Sequence, residues 1–83
     1  MHYYRGLQKW MEGRRDAAFR EWQAGIQSAR RLSMPWEEAN ALREIGKRSD
    51  GEARKKYLEK ARAIFTSCRA QFDLQDVEKL LEK

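Results

Sequence analysis

The sequence predicts an all-α fold of about five helices, paired antiparallel and stacked one pair on the next. Three observations predict it. The first is composition: 37% of the 83 residues are charged, Ala, Leu, Arg, Glu and Lys are abundant, and Pro35 is the only proline; few breakers and many helix formers read as helix almost throughout. The second is a small–large–small pattern that appears twice. Ala18, Trp22 and Gly25 stand at spacings of four and three, and Ala61, Phe65 and Cys68 repeat them, with Gly6 and Gly46 upstream. Small residues at helical offsets let two helices lie close, while the aromatic fills the space between them. The third is punctuation: links of two to four residues separate the periodic segments, and short links make consecutive helices antiparallel neighbours.

The first segment runs from about His2 to Glu12, with Tyr3, Leu7, Trp10 and Met11 at helical spacing and Gly13 as its stop. The second, from about Asp16 to Leu32, carries the stripe Ala18, Trp22, Gly25, Ala29, Leu32 and part of another in Phe19 and Ile26. A helix apolar on more than one face is sandwiched between neighbours. The third starts at Pro35, a favoured first-turn position, with Glu37 and Glu38 suited to the helix dipole. Its stripe is Trp36, Ala39, Leu42 and Ile45, and it ends near Arg48. The fourth follows Ser49-Asp50-Gly51-Glu52, where Ser49 and Glu52 match a capping box. Its stripe is Tyr57, Leu58, Ala61, Ile64, Phe65 and Cys68, the cleanest periodicity in the chain. The fifth starts near Asp73 with Leu74, Val77, Leu80 and Leu81, and is too short to stand alone. The expected core is Trp22, Leu42, Ile45, Leu58, Ala61, Ile64, Phe65 and Cys68.

The pairs are offset by roughly 40 residues, and the turn ARRLSMPW at 29–36 resembles FTSCRAQF at 65–72. This pattern resembles the tetratricopeptide repeat (TPR) family, in which a late Gly in one helix meets Ala, an aromatic and a small residue in the next. Gly6, Ala18, Trp22 and Gly25 fit with the family spacing; Gly46, Ala61, Phe65 and Cys68 fit with about three extra residues in the loop. Residues 29–46 and 54–65 are further similar to the C-terminal repeats of bacterial multidomain signalling proteins, including nucleotide cyclases and ATPase regulators of the MalT type. The resemblance implies one TPR-like domain over 1–83, a right-handed superhelix of helix pairs 2–32 and 35–69 with a terminal helix 73–82, cut from a longer array. It also implies a non-catalytic interaction or scaffold role in a regulatory or signalling protein.

The concave face of such an array comes from the first helix of each pair. The candidate partner-binding residues there are Tyr3, Leu7, Trp10, Asn40, Arg43 and Lys47. In the family such a face often holds a carboxylate, which would give Arg43 and Lys47, one turn apart, their role. The plainer reading of the pair is a solvated helix surface.

Catalysis has little to build on. His2, the only His, stands near a terminus, and no Ser-His-acid or Cys-His arrangement forms around it on a rigid element. One His and one Cys do not make a transition-metal site, and glycine-rich phosphate loops are absent, so no enzyme, cofactor or metal is expected. The net charge of +5 divides as +4 over residues 1–36 and +1 over residues 37–83, which keeps a nucleic-acid-binding module as the alternative. Paired base-reading residues on each unit are missing, so nucleic acid is the less favoured partner. The expected partners are a protein or peptide, upstream domains of the same chain, or a second copy through the apolar first helix; a purely structural cap is the remaining possibility. No run approaches the roughly 20 apolar residues of a membrane span, and the single Cys fits a reducing compartment, so a cytoplasmic location is expected.

Overall fold

The computed structural model describes residues 2–82, with side chains from Tyr4 to Glu82. Five helices follow in order: α1 (His2–Met11), α2 (Arg15–Arg31), α3 (Pro35–Lys47), α4 (Gly51–Ser67) and α5 (Gln71–Glu82). No strand occurs among the described residues. Each helix packs on the next in the chain, and α1 also touches α3. The all-α class and the five segments are those the sequence predicts, with helix ends within about two residues of expectation, α5 starting two residues early.

The links explain the boundaries. Leu32 closes α2, Ser33 turns to φ 54°, and Met34 N–H reaches back to the Ala29 carbonyl at 2.8 Å while Ser33 N–H reaches Arg30 at 3.3 Å. This is a Schellman termination. After α4 it recurs: Arg69 has φ 58°, Ala70 N–H bonds Phe65 at 3.0 Å and Arg69 N–H bonds Thr66 at 3.2 Å. Gly13 (φ 79°) fills the same left-handed position after α1, where glycine is the residue expected. The link from α3 to α4 departs from expectation. Its capping box does not form: α4 starts at Gly51, so Asp50 is the N-cap and Ser49 falls outside the helix. The Ser49 hydroxyl instead donates to the Ile45 carbonyl at 2.7 Å.

These turns set the register. The α2 and α4 helices begin at 15 and 51, and α3 and α5 at 35 and 71, so helix and turn both repeat at 36 residues. The Ala–aromatic–small motif repeats at 43, because Ala18 recurs at Ala61. The difference of seven is about two helical turns, which keeps the same face but slides the motif along α4. Trp22 is therefore equivalent to Leu58. Both are fully buried, and each lies against a glycine of the preceding helix, Trp22 on Gly6 and Leu58 on Gly46.

That slide corrects one core assignment. Cys68 is exposed, because it caps α4 instead of continuing its stripe. Trp22, Leu42, Ile45, Leu58, Ala61 and Phe65 form the expected core with Ile26, Ala39, Ala41 and Val77, while Ile64 packs against it half-buried. The α3 helix lies between α2 and α4, and this buries residues on several of its faces, including Asn40 and Glu44. Fully burying side chains such as Trp22 and Phe65 contributes roughly 2–3 kcal/mol each.

Candidate functional site

A groove of ≈410 Å³ opens between α1, α2 and α3. Its small lining residues are Gly25, Ser28 and Ala29 of α2 and Ala41 of α3. Side chains of that size at consecutive helical offsets leave the depth. Tyr4 of α1 and Trp36, Asn40 and Arg43 of α3 contribute to the lining, and Leu32, Met34 and Glu37 complete it. Tyr4 is 64% exposed, Leu32 60% and Trp36 51%. Three large apolar side chains so exposed around one concavity mark a surface suited to being covered.

The rim next to α5 is held by a polar network. The Trp36 indole N–H donates to Asp73 Oδ2 at 3.0 Å, and Arg43 Nη1 donates to Asp73 Oδ1 at 2.8 Å with Asp76 at 3.5 Å. Arg43 also donates to the Asn40 side chain and lies over the Phe65 ring at 5.2 Å. Asn40 Nδ2 donates to the Trp36 carbonyl at 3.2 Å. Burial pushes the Asp73 carboxyl up, but the hydrogen bonds from Trp36 and Arg43 and the Arg43 charge outweigh it and hold the group below its ordinary value.

Of the residues the sequence singles out, Asn40 and Arg43 line this groove. Arg43 is already paired with two aspartates, so it does not present a free cation to a carboxylate. Lys47 is exposed on α3 away from the groove lining, and its backbone carbonyl accepts a bond from Arg54 at 3.0 Å. Leu7 packs half-buried on the core. Trp10 belongs to an aromatic cluster with Phe19 (centroids 5.9 Å apart) and Trp22 (6.3 Å). The Arg48 guanidinium lies over both indoles, at 4.7 Å from Trp10 and 4.9 Å from Trp22, and bonds Glu44. This arrangement locks α1 and α2 against the end of α3. Tyr3 lies outside the described side chains. Sequence reasoning missed Tyr4, Leu32, Met34 and Glu37 as groove residues and assigned Trp36 to a buried stripe. The available signal was the apolar Leu32-Ser33-Met34 link, where a turn would ordinarily be polar.

Charge sorts by helix, not by half of the chain. The α2 and α4 helices carry nine basic and four acidic side chains, a net of +5; α3 and α5 carry three basic and seven acidic, a net of −4. The α3 and α5 helices are thus net acidic and the α2 and α4 helices net basic. Among the described residues, no three His, Cys, Asp or Glu side chains converge as a metal set, and no helix is long and apolar enough to cross a membrane.

Fold and groove together define a five-helix, all-α fold with a largely apolar groove. No protein-family model, curated protein or solved structure matches the chain.

Proposed function

We propose that the chain is a protein–protein interaction module of TPR type, with the groove between α1, α2 and α3 as its docking surface and no catalysis of its own. The observation that carries this is the exposure of Tyr4, Leu32 and Trp36 around a concavity with a small-residue lining. The 36-residue recurrence of helix starts and turn hydrogen bonds supports the stacked-pair reading, because a repeat built this way buries one unit on the next and leaves its free faces for partners. The regulatory or signalling setting rests on the resemblance of residues 29–46 and 54–65.

Selection of random displayed peptides on the immobilised protein tests the reading. The enriched peptides should bind the native chain and lose binding to Ser28→Trp, which fills the groove, and to Trp36→Ala. Failure to enrich peptides, or equal binding to all three proteins, would overturn it.

The net basic charge of α2 and α4 favours a second reading, electrostatic attraction of a nucleic acid. Such binding should weaken steeply with added salt, whereas docking in the apolar groove should largely persist.

A further inference from the structure

The groove calls for an apolar side chain accompanied by a cation. Its lining is largely apolar, and it contains two ionisable groups of opposite sign, Arg43 and Glu37. Arg43 is neutralised by Asp73 and Asp76. Glu37, half-buried in the first turn of α3, has no ion-pair partner among the described residues. A ligand that fills the groove removes water from Glu37 and needs a positive group to offset that cost.

The chain itself displays such a ligand. Phe72, at the start of α5, is 88% exposed, the highest value among its exposed large apolar side chains. Arg69 stands three residues before it, exposed, in the left-handed turn between α4 and α5. A phenylalanine buries roughly 150–250 Å² when covered, and one ring fits easily within ≈410 Å³. Knob and groove also adjoin. The bond from Trp36 to Asp73 ties the start of α5 to the groove's rim, one residue from Phe72. A patch holding both a projection and a matching recess can pair with itself about a two-fold axis.

We propose that two copies of the chain associate through this face, each placing Phe72 in the other's groove with Arg69 beside the other's Glu37. The proposal rests on the groove being a protein-docking surface and names its occupant as a second copy of this chain. The mode differs from dimerisation through α1, because it uses the start of α5 and involves α1 only through Tyr4 in the groove lining.

Sedimentation equilibrium tests it. Over about 5 µM to 1 mM the mass should rise from 9.9 kDa toward twice that, with a Kd on the order of 10–100 µM for so small an interface. Phe72→Ala, at an exposed position that leaves the core intact, should weaken association by about 30-fold or more. Glu37→Lys and Arg69→Glu should each weaken it, and the double variant should recover most of the loss, with circular dichroism confirming that every variant is folded. A native chain that stays monomeric to about 1 mM, a dimer indifferent to Phe72→Ala, or charge reversals that do not rescue one another would each overturn the proposal. Displayed peptides that still require Ser28 and Trp36 on a monomeric chain would sink self-association alone and leave the docking groove standing.

Discussion

Replacing Gly6 by alanine sets two effects against each other. Gly6 lies mid-helix in α1, where alanine is favoured over glycine by about 1 kcal/mol on helix propensity alone. A Cβ at this position would overlap the Trp22 indole. Trp22 has no room to retreat: it is fully buried, with Phe19 edge-on at 5.9 Å, Trp10 at 6.3 Å and the Arg48 guanidinium at 4.9 Å. Relief therefore requires α1 to move outward, which strips contact from Leu7 and opens a gap beside the indole. Overpacking of this kind costs about 1–3 kcal/mol and can exceed that when rigid groups collide. The clash outweighs propensity, so Gly6→Ala should lower stability by about 1–2 kcal/mol and Tm by roughly 5–15 °C. Urea titration followed by tryptophan fluorescence reads this well, because Trp10 and Trp22 both report on the α1–α2 contact. Gly46→Ala should share the sign, since its Cβ would lie 2.8 Å from Leu58 Cγ. A Gly6→Ala protein about 1 kcal/mol more stable than the parent, as propensity alone dictates, would refute the close packing of α1 on Trp22.

Three further outcomes follow from other parts of the fold. Ala61 is fully buried in α4; Ala61→Leu should destabilise by roughly 1–3 kcal/mol in the same titration through overpacking, and an unchanged midpoint would speak against the helix-pair packing. Arg69 holds a left-handed φ of 58° at a site where glycine is preferred, so Arg69→Gly should stabilise by about 0.5–1 kcal/mol by calorimetry, with a loss of that size counting against the turn geometry. Asp73, its carboxyl held low by Trp36 and Arg43, contributes stability that is present above the ordinary carboxylate pKa and lost as pH falls through its folded value. Asp73→Asn should therefore lower stability by about 1–2 kcal/mol at pH 7, and the gap between parent and variant should narrow below roughly pH 4; a gap constant with pH would show that the carboxylate's charge plays no part.

The helices were legible because their signals are local. Pro35, Gly13 and the Leu58–Ala61–Phe65 stripe act within a turn or two of themselves, and the boundaries follow from them. Register was not, because positions seven apart lie on nearly the same face of a helix. A stripe repeating at 43 and a turn repeating at 36 looked compatible until the Schellman turns fixed the second. Cys68 was misplaced for that reason alone. The site was half legible. Asn40 and Arg43 stood out as polar residues not needed for the α3 stripe, and both line the groove. What could not be read was that Asp73, thirty positions away, would neutralise Arg43. That pairing turns an expected carboxylate receptor into a groove whose unpaired charge is negative. Trp36 was hidden differently: α3 is buried on several sides, so an outward tryptophan resembles the apolar positions around it.

The central claim, that this helical array docks a partner in the groove between α1, α2 and α3, is tested most directly by amide and indole NMR shifts as an enriched displayed peptide is titrated in. The account predicts that the Trp36 indole N–H and the amides of Gly25, Ser28, Leu32, Glu37 and Asn40 move together and saturate with one affinity. Shifts confined to the exposed lysines of α4, Lys55, Lys56 and Lys60, with Trp36 unmoved, would contradict it.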